Sequence, residues 1–289
     1  MTTLPHRGNE VRKISSSNIE GMVVVGSSLD HFLENNGDPE ELFSHNVQLL
    51  KSGDSTRNAL ARLSDAKLEG SPEEIFVKEF RSKNILHSLK PRFSRHRAQM
   101  AWQISWHLLD SGIPVPEPEG YLLRKSGPFY GKGYFFSKVL SGCNNLATLA
   151  WTSKELSKRL ATGGLLDALA REIAALHGCG VTHGDLKWPN ILVHETNNRI
   201  WFVDLDSANL HTHFLGPSRV ARDLGRFVFF GFQTETNNAI IRRFLEEYCR
   251  HRKLDRGSVE ASMAKILKKL CKRHKSIAED RIKELLKNY

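Results

Sequence analysis

His183-Gly184-Asp185-Leu186-Lys187-Trp188-Pro189-Asn190, followed by the apolar run Ile191 to Val193 and then by Val203-Asp204-Leu205-Asp206, decides how this chain is read. It sets an Asp, a Lys, an Asn and a second Asp at the intervals a phosphoryl-transfer site requires. Such a reaction needs an acceptor hydroxyl aligned for in-line attack and Mg²⁺ to neutralise phosphate charge, so the protein contributes mainly positioning and electrostatics. Asp185 is placed to accept the hydroxyl proton, and Lys187 to bring its ammonium beside the transferring phosphate. Asn190 offers a neutral carbonyl oxygen to a hard cation. Ile191 to His194 and Arg199 to Val203 flank Glu195-Thr196-Asn197-Asn198 and read as a β-hairpin that returns Asp204 to Asn190. Taken singly, each acid has an ordinary explanation as a turn former or a solvated strand end. Their joint spacing points to chemistry.

At these residues the chain resembles the protein-kinase-like superfamily. His183-Gly184-Asp185 stands where such enzymes carry His-Arg-Asp, and Asp204-Leu205-Asp206 where they carry Asp-Phe-Gly. The resemblance implies an α+β, two-lobed protein-kinase-like fold with a small β-rich N-lobe and a larger α-helical C-lobe. It implies ATP and Mg²⁺ as cofactors, with Asp204 and Asn190 as metal ligands and Asp206 at the glycine position. Gly184 in place of Arg removes the cation that would pair with a phosphorylated activation loop, so activation of that kind is not implied.

Upstream, Glu74 to Phe80 is a short alternating strand whose Lys78 looks like the lysine that holds the ATP phosphates. A lysine solvating a strand edge is the competing explanation. Val47 to Lys51 and Asn58 to Leu63 are two further strands, joined by Ser52-Gly53-Asp54-Ser55-Thr56-Arg57 where a phosphate-covering loop belongs. That loop has one glycine and lacks the glycine fingerprint. From Ser94 to Leu109 the sequence turns helical, with Ala98, Ala101, Trp102, Ser105 and Leu108 in phase. The stretch contains no Asp or Glu to pair with Lys78, so another group takes that role or the lysine is held differently. Gly133 to Val139 reads as the strand entering a hinge. Leu165 to His177 reads as a long buried helix, its stripe formed by Leu166, Leu169, Ile173 and Leu176. Arg222-Asp223-Leu224-Gly225-Arg226 opens a further helix; Asp223 either braces the catalytic loop, as the resemblance implies, or is a solvated helix residue, and it stays outside the catalytic set.

A narrower resemblance is to the lipopolysaccharide kinase family, which phosphorylates a Kdo or heptose sugar of the inner core. It rests on Phe76-Val77-Lys78-Glu79-Phe80-Arg81, on Ser94-Arg95-His96-Arg97-Ala98 through Trp102, and on Leu108 through Pro118. It extends over about Val47 to Phe227 and does not say which sugar is the acceptor.

The chain has 289 residues, 40% of them hydrophobic, enough for a substantial core. The expected division is a flexible arm over residues 1–20, a nucleotide-binding N-lobe over 21–140 and a catalytic C-lobe over 141–289. Within the N-terminal part, Met22 to Val25 reads as an added edge strand and Asp30 to Phe43 as a short acidic helix. No stretch approaches the roughly 20 apolar residues of a membrane span, and Met1 to His6 lacks the blocks of a secretory signal. Cys143, Cys179, Cys249 and Cys271 show no Cys-x-x-Cys spacing, which fits reduced thiols in the cytoplasm.

The net charge of +10 is unevenly spread. Residues 242–289 hold 15 Lys and Arg against 7 Asp and Glu, whereas residues 1–77 hold 7 against 12. A second basic run includes Arg81, Lys83, Lys90, Arg92, Arg95 and Arg97. Such surfaces favour anionic partners, here an anionic glycolipid acceptor, with peripheral contact at the cytoplasmic face of the inner membrane a further option. Met263, Ile266, Leu267, Leu270 and Ile277 form an amphipathic stripe that either packs on its own domain or docks on a membrane. Nucleic acid is not expected, since no zinc spacing or aromatic RNA-binding signature accompanies the charge. The leading reading is an ATP-dependent sugar kinase acting on lipopolysaccharide. An atypical Ser/Thr protein kinase and a nucleotide-binding pseudokinase scaffold remain as alternatives.

Overall fold

A computed structural model describes residues 8–35, 38–40, 42, 47–63, 73–81, 96–126, 129–152, 154–162, 164–234, 236–274 and 279–286. The basic positions Lys83, Lys90, Arg92 and Arg95, the start of the helical stretch at Ser94, and Ile277 lie outside the described residues. The chain divides into two compact units, Met1–Asp110 with Pro116–Leu140, and Ser111–Val115 with Ser141–Tyr289. The first is β-rich and the second mainly helical, an α+β organisation.

The first unit is built on one antiparallel sheet. Its strands are β1 (Val11–Ser15), β2 (Ile19–Val24), β3 (Val47–Ser52), β4 (Thr56–Leu63), β5 (Glu73–Phe80), β6 (Pro118–Ser126) and β7 (Phe129–Lys138), in the order β1-β2-β6-β7-β5-β4-β3. Alternation decides which side chains face the core: Ile75 and Val77 of β5 meet Ala59 and Ala61 of β4, Leu122 of β6 and Phe136 of β7. The expected loose arm does not extend to residue 20. Val11 pairs with Val24 and Ser15 with Glu20, because Ile14 packs on the core and Arg12 pairs with Asp30. Val23 therefore lies in an interior strand rather than at an edge. Helix α1 (Ser28–Asn35) starts earlier than expected, since Ser27 Oγ accepts the Asp30 amide at 3.2 Å while Asp30 Oδ2 accepts the Gly26 amide at 3.0 Å. These reciprocal bonds satisfy amides that the first helical turn would leave orphaned. Helix α2 (Arg97–Asp110) lays Ala98, Trp102 and Trp106 on Phe80, Tyr121 and Leu123.

In the second unit, β8 (Cys143–Asn145) leads into α3 (Leu146–Thr152), α4 (Lys154–Ala161) and α5 (Leu165–Gly178). The apolar stripe expected on α5 is buried in full at Leu166, Leu169, Ile173 and Leu176. After the short strand β9 (Val181–Thr182) come the hairpin strands β10 (Ile191–His194) and β11 (Ile200–Phe202), antiparallel as expected, then β12 (Asn209–Leu210), paired with β9. Arg159 of α4 fixes the hairpin turn by donating to the carbonyls of His194, Glu195 and Asn197. Four helices complete the unit: α6 (Pro217–Gln233), α7 (Asn238–Arg252), α8 (Arg256–His274) and α9 (Glu279–Leu285). Gly225 lets α6 and α8 approach closely, since a Cβ there would lie 2.9 Å from Ile266 Cγ2. The C-terminal apolar stripe is thus covered by its own unit at Met263 and Leu267, while Lys265, Lys268, Lys269 and Lys272 face solvent. Among the described residues no helix is long and apolar enough to cross a membrane.

Ile173 lies fully buried midway along α5. Ile173→Ala is expected to cost about 2–5 kcal/mol through lost transfer energy and a cavity. Chemical denaturation should show a lower midpoint with an unaltered slope.

Candidate active site

The segment from His183 to Asn190 is held by the elements on either side of it. Pairing of β9 with β12 brings Gly184 against the turn Leu205–Ser207. Gly184 adopts φ +79°, and a Cβ would sit 2.2 Å from the Ser207 carbonyl oxygen, so only glycine fits. The absence of an arginine here is therefore a steric requirement of the loop as well as the loss of a cation.

Asp223 of α6, 1% exposed, anchors the start of this loop. Its Oδ2 accepts the His183 amide at 2.6 Å and its Oδ1 the Gly184 amide at 2.9 Å. His177 of α5 places Nε2 3.3 Å from Asp223 Oδ2 and Nδ1 2.8 Å from the Tyr248 hydroxyl. Burial by itself would raise the Asp223 carboxyl. The hydrogen bond and charge of His177, with the charge and amide of His183, outweigh it and hold the group below the usual carboxylate range. Of the two readings open in the sequence, the bracing one describes this residue. His183 is sealed from solvent and donates from Nε2 to the Val203 carbonyl at 3.0 Å, tying the loop to the exit of the hairpin.

Asp185 lies between two cations. Lys187 Nζ is 2.9 Å from Oδ2 and Arg226 Nη1 is 2.5 Å from Oδ1. Asn190 donates from Nδ2 to the Asp185 carbonyl at 2.9 Å and, more weakly, to Oδ2 at 3.4 Å. Sequence reasoning placed Asp185, Lys187 and Asn190 together but missed Arg226. Its signal is the spacing to Asp223: three positions apart on a helix, the two side chains share a face, so α6 braces the loop and holds Asp185. Beside them, Trp188 is buried against Phe227 and Gly231.

The hairpin delivers Asp204 as expected in backbone terms. The Val203 amide donates to the Asn190 carbonyl at 3.1 Å, and Asp204 is the next residue. Asp204 takes φ 67° and ψ 50°, the left-handed region that non-glycine residues enter at a cost and that concentrates at functional sites. Among the described residues no group of three or more His, Cys, Asp or Glu could hold a metal ion. Mg²⁺ takes only one or two protein oxygens and fills its octahedron with water and phosphate oxygens, so a site for it would need no more donors than Asn190 and Asp204 carry. With the Asn190 amide nitrogen committed to Asp185, the carbonyl oxygen of the side chain points away from it and can serve as such a donor.

Lys78 belongs to the first unit, on β5, in register with Asn58 of β4 and Phe135 of β7. It is buried, with Nζ 5.1 Å from the centre of the Phe80 ring, which Arg97 also approaches at 4.9 Å. The neighbouring Glu79 binds Arg57 and Arg81, each at 2.9 Å. The loop between β3 and β4 is closed by a bond from the Gly53 amide to the Thr56 carbonyl and fastened to β5 by one from the Arg81 amide to the Ser55 carbonyl. Backbone bonds shape this loop in place of a glycine series.

Residues 46–248 match the family described as the lipopolysaccharide kinase (Kdo/WaaP) family. Among individual proteins, the chain is similar to the 3-deoxy-D-manno-octulosonic acid kinase of Vibrio parahaemolyticus serotype O3:K6, 26% identical over 117 residues, 40% of this chain and 46% of that one. It is likewise similar to the protein of the same name from Vibrio vulnificus strain CMCP6, 28% identical over 114 residues, 39% of this chain and 45% of the other. These matches span less than half the length of either relative. A solved structure, WaaP in complex with acyl carrier protein, shares the fold with a TM-score of 0.58 at 22% identity, covering 82% of this chain and 95% of that one. The chain belongs to the lipopolysaccharide kinase (Kdo/WaaP) family.

Asp223→Asn replaces one acceptor by an amide that faces a donor. We expect a loss of about 1–3 kcal/mol at neutral pH. Because the folded carboxyl is depressed, its contribution is complete above the unfolded value near 3.8 and disappears as pH falls through the lower folded value. Denaturation at a series of pH values should show the gap between wild type and variant narrowing only below about pH 4.

Proposed function

We propose that this member of the lipopolysaccharide kinase family is an ATP- and Mg²⁺-dependent phosphotransferase whose acceptor is a sugar hydroxyl, of Kdo or heptose, in the lipopolysaccharide inner core. The observation that carries the reading is the setting of Asp185. Its carboxylate is gripped from both sides by Lys187 and Arg226, and its main chain is pinned by Asn190. A side chain held in this way presents a fixed oxygen to an incoming hydroxyl, which is what in-line transfer demands of a base. Lys187 then stands where charge develops on the transferring phosphoryl group, and Arg226 keeps Asp185 aligned as the hydroxyl approaches. Bound Mg²⁺ would neutralise phosphate charge, with Asn190 and Asp204 as its protein ligands. Lys78 is assigned to the ATP phosphates.

The sugar acceptor is proposed from the relatives, whose names are those of 3-deoxy-D-manno-octulosonic acid kinases. The proposed setting is the cytoplasmic face of the inner membrane, where ATP is available. The outward lysines of α8 supply attraction to an anionic glycolipid surface without an inserted apolar face. Because the structural neighbour was solved with acyl carrier protein, that protein is a further partner to test by co-purification.

Purified protein incubated with labelled ATP and non-phosphorylated inner-core glycolipid should place the label on the glycolipid. Label confined to polypeptide would replace this reading with that of a protein kinase, and nucleotide binding without transfer would favour the scaffold. Asp185→Ala should lower kcat by about 10²–10⁴-fold, the share typical of a positioned general base, with ATP affinity largely kept.

A further inference from the structure

Of the five tryptophans, Trp151 on α3 is the one that lies open, 66% exposed, while Trp102, Trp106 and Trp188 are buried and Trp201 is half-buried. Exposure of an indole is costly in apolar area, so its placement calls for a reason. Its ring is not isolated. Trp151 lies 6.2 Å from Phe230 of α6, and Phe230 stacks on Trp188 at 6.5 Å with 30° between planes. Trp188 follows Asp185 by three residues, and Phe230 follows Arg226 by one turn of α6, so Phe230 links Trp151 to the segment around Asp185 through Trp188 and along α6. From the helical rise and the ring spacings, Trp151 stands on the order of 10–15 Å from Asp185.

We propose that Trp151 is a stacking platform for a sugar ring of the acceptor, the ring next to the one that is phosphorylated; this rests on the reading of the site as a sugar kinase. A pyranose offers one apolar C–H face bordered by hydroxyls. A single exposed indole backed by a second aromatic ring matches that face in size, and its negative π-surface attracts the C–H edges. Thr152, the next residue along the chain, is exposed and polar. The bonds around Asp185 position one hydroxyl but do not distinguish one glycan from another. A platform one sugar away would select the acceptor without taking part in the transfer, which makes Trp151 a specificity residue and not a catalytic one.

The test uses the full chain and deacylated, non-phosphorylated inner-core oligosaccharide as probe, with calorimetric binding and steady-state phosphorylation measured separately. Trp151→Ala is expected to weaken oligosaccharide binding and raise its KM about tenfold or more, leaving the KM for ATP where it was, and Trp151→Phe to recover most of the loss. Thermal melting of both variants checks that they are folded. Unaltered oligosaccharide affinity in Trp151→Ala overturns the proposal, as does absence of binding by the wild type. A rise in the KM for ATP instead would assign the ring to nucleotide, and a defect confined to acylated glycolipid would assign it to lipid; each result rejects the sugar platform. Binding that depends on Trp151 without phosphate transfer by the wild type would keep the platform and remove the kinase reading.

Discussion

The carboxylate of Asp223, shut away from water, accepts the amides of two successive residues, His183 and Gly184, and a ring N–H from α5. A buried charge is tolerable only when its hydrogen-bonding capacity is met, and here backbone and imidazole meet it together. The consequence runs outward along α6. With Asp223 fixed on the loop, Arg226 is carried to Asp185, and Phe227 and Gly231 receive Trp188. One helix therefore sets both ends of the segment from His183 to Asn190. Those residues need no large apolar core of their own, because the helix that orients them belongs to the core of the unit.

Much of this was legible in the sequence where the chemistry itself fixes local spacing. The Asp185 to Asn190 interval, the hairpin from Ile191 to Phe202 and the stripe on α5 are patterns over a few residues, and the structure reproduces them. Arg226 was not legible as a site residue, since its role depends on which face of α6 turns toward a loop 41 positions earlier. Asp223 was undecided for the same reason: burial of a helical acid is a tertiary fact. The first strand escaped because Arg12 and Lys13 interrupt its apolar pattern, and its place in the sheet depends on Ile14 packing and on the ion pair of Arg12 with Asp30.

The face that α2 turns to the sheet carries no acid and is aromatic in the first unit. The helix meets the sheet through Ala98, Trp102 and Trp106, with the two indoles edge-to-face at 5.6 Å, and this surface fills the space over Phe80 with aromatic carbon. Phe80 in turn has Lys78 and Arg97 over its ring. The carboxylate nearest in sequence, Glu79, points to the opposite face and is engaged with Arg57 and Arg81.

The left-handed turn at Gly184 also limits how this protein could be re-engineered. Grafting a phosphate-responsive arginine at that position, to place the protein under the command of an upstream signalling kinase, would drive a side chain into the Ser207 carbonyl and force a strained backbone. The switch would have to arrive together with a rebuilt 205–208 turn. The route to a signal-gated form therefore begins with backbone remodelling and not with the acquisition of charge.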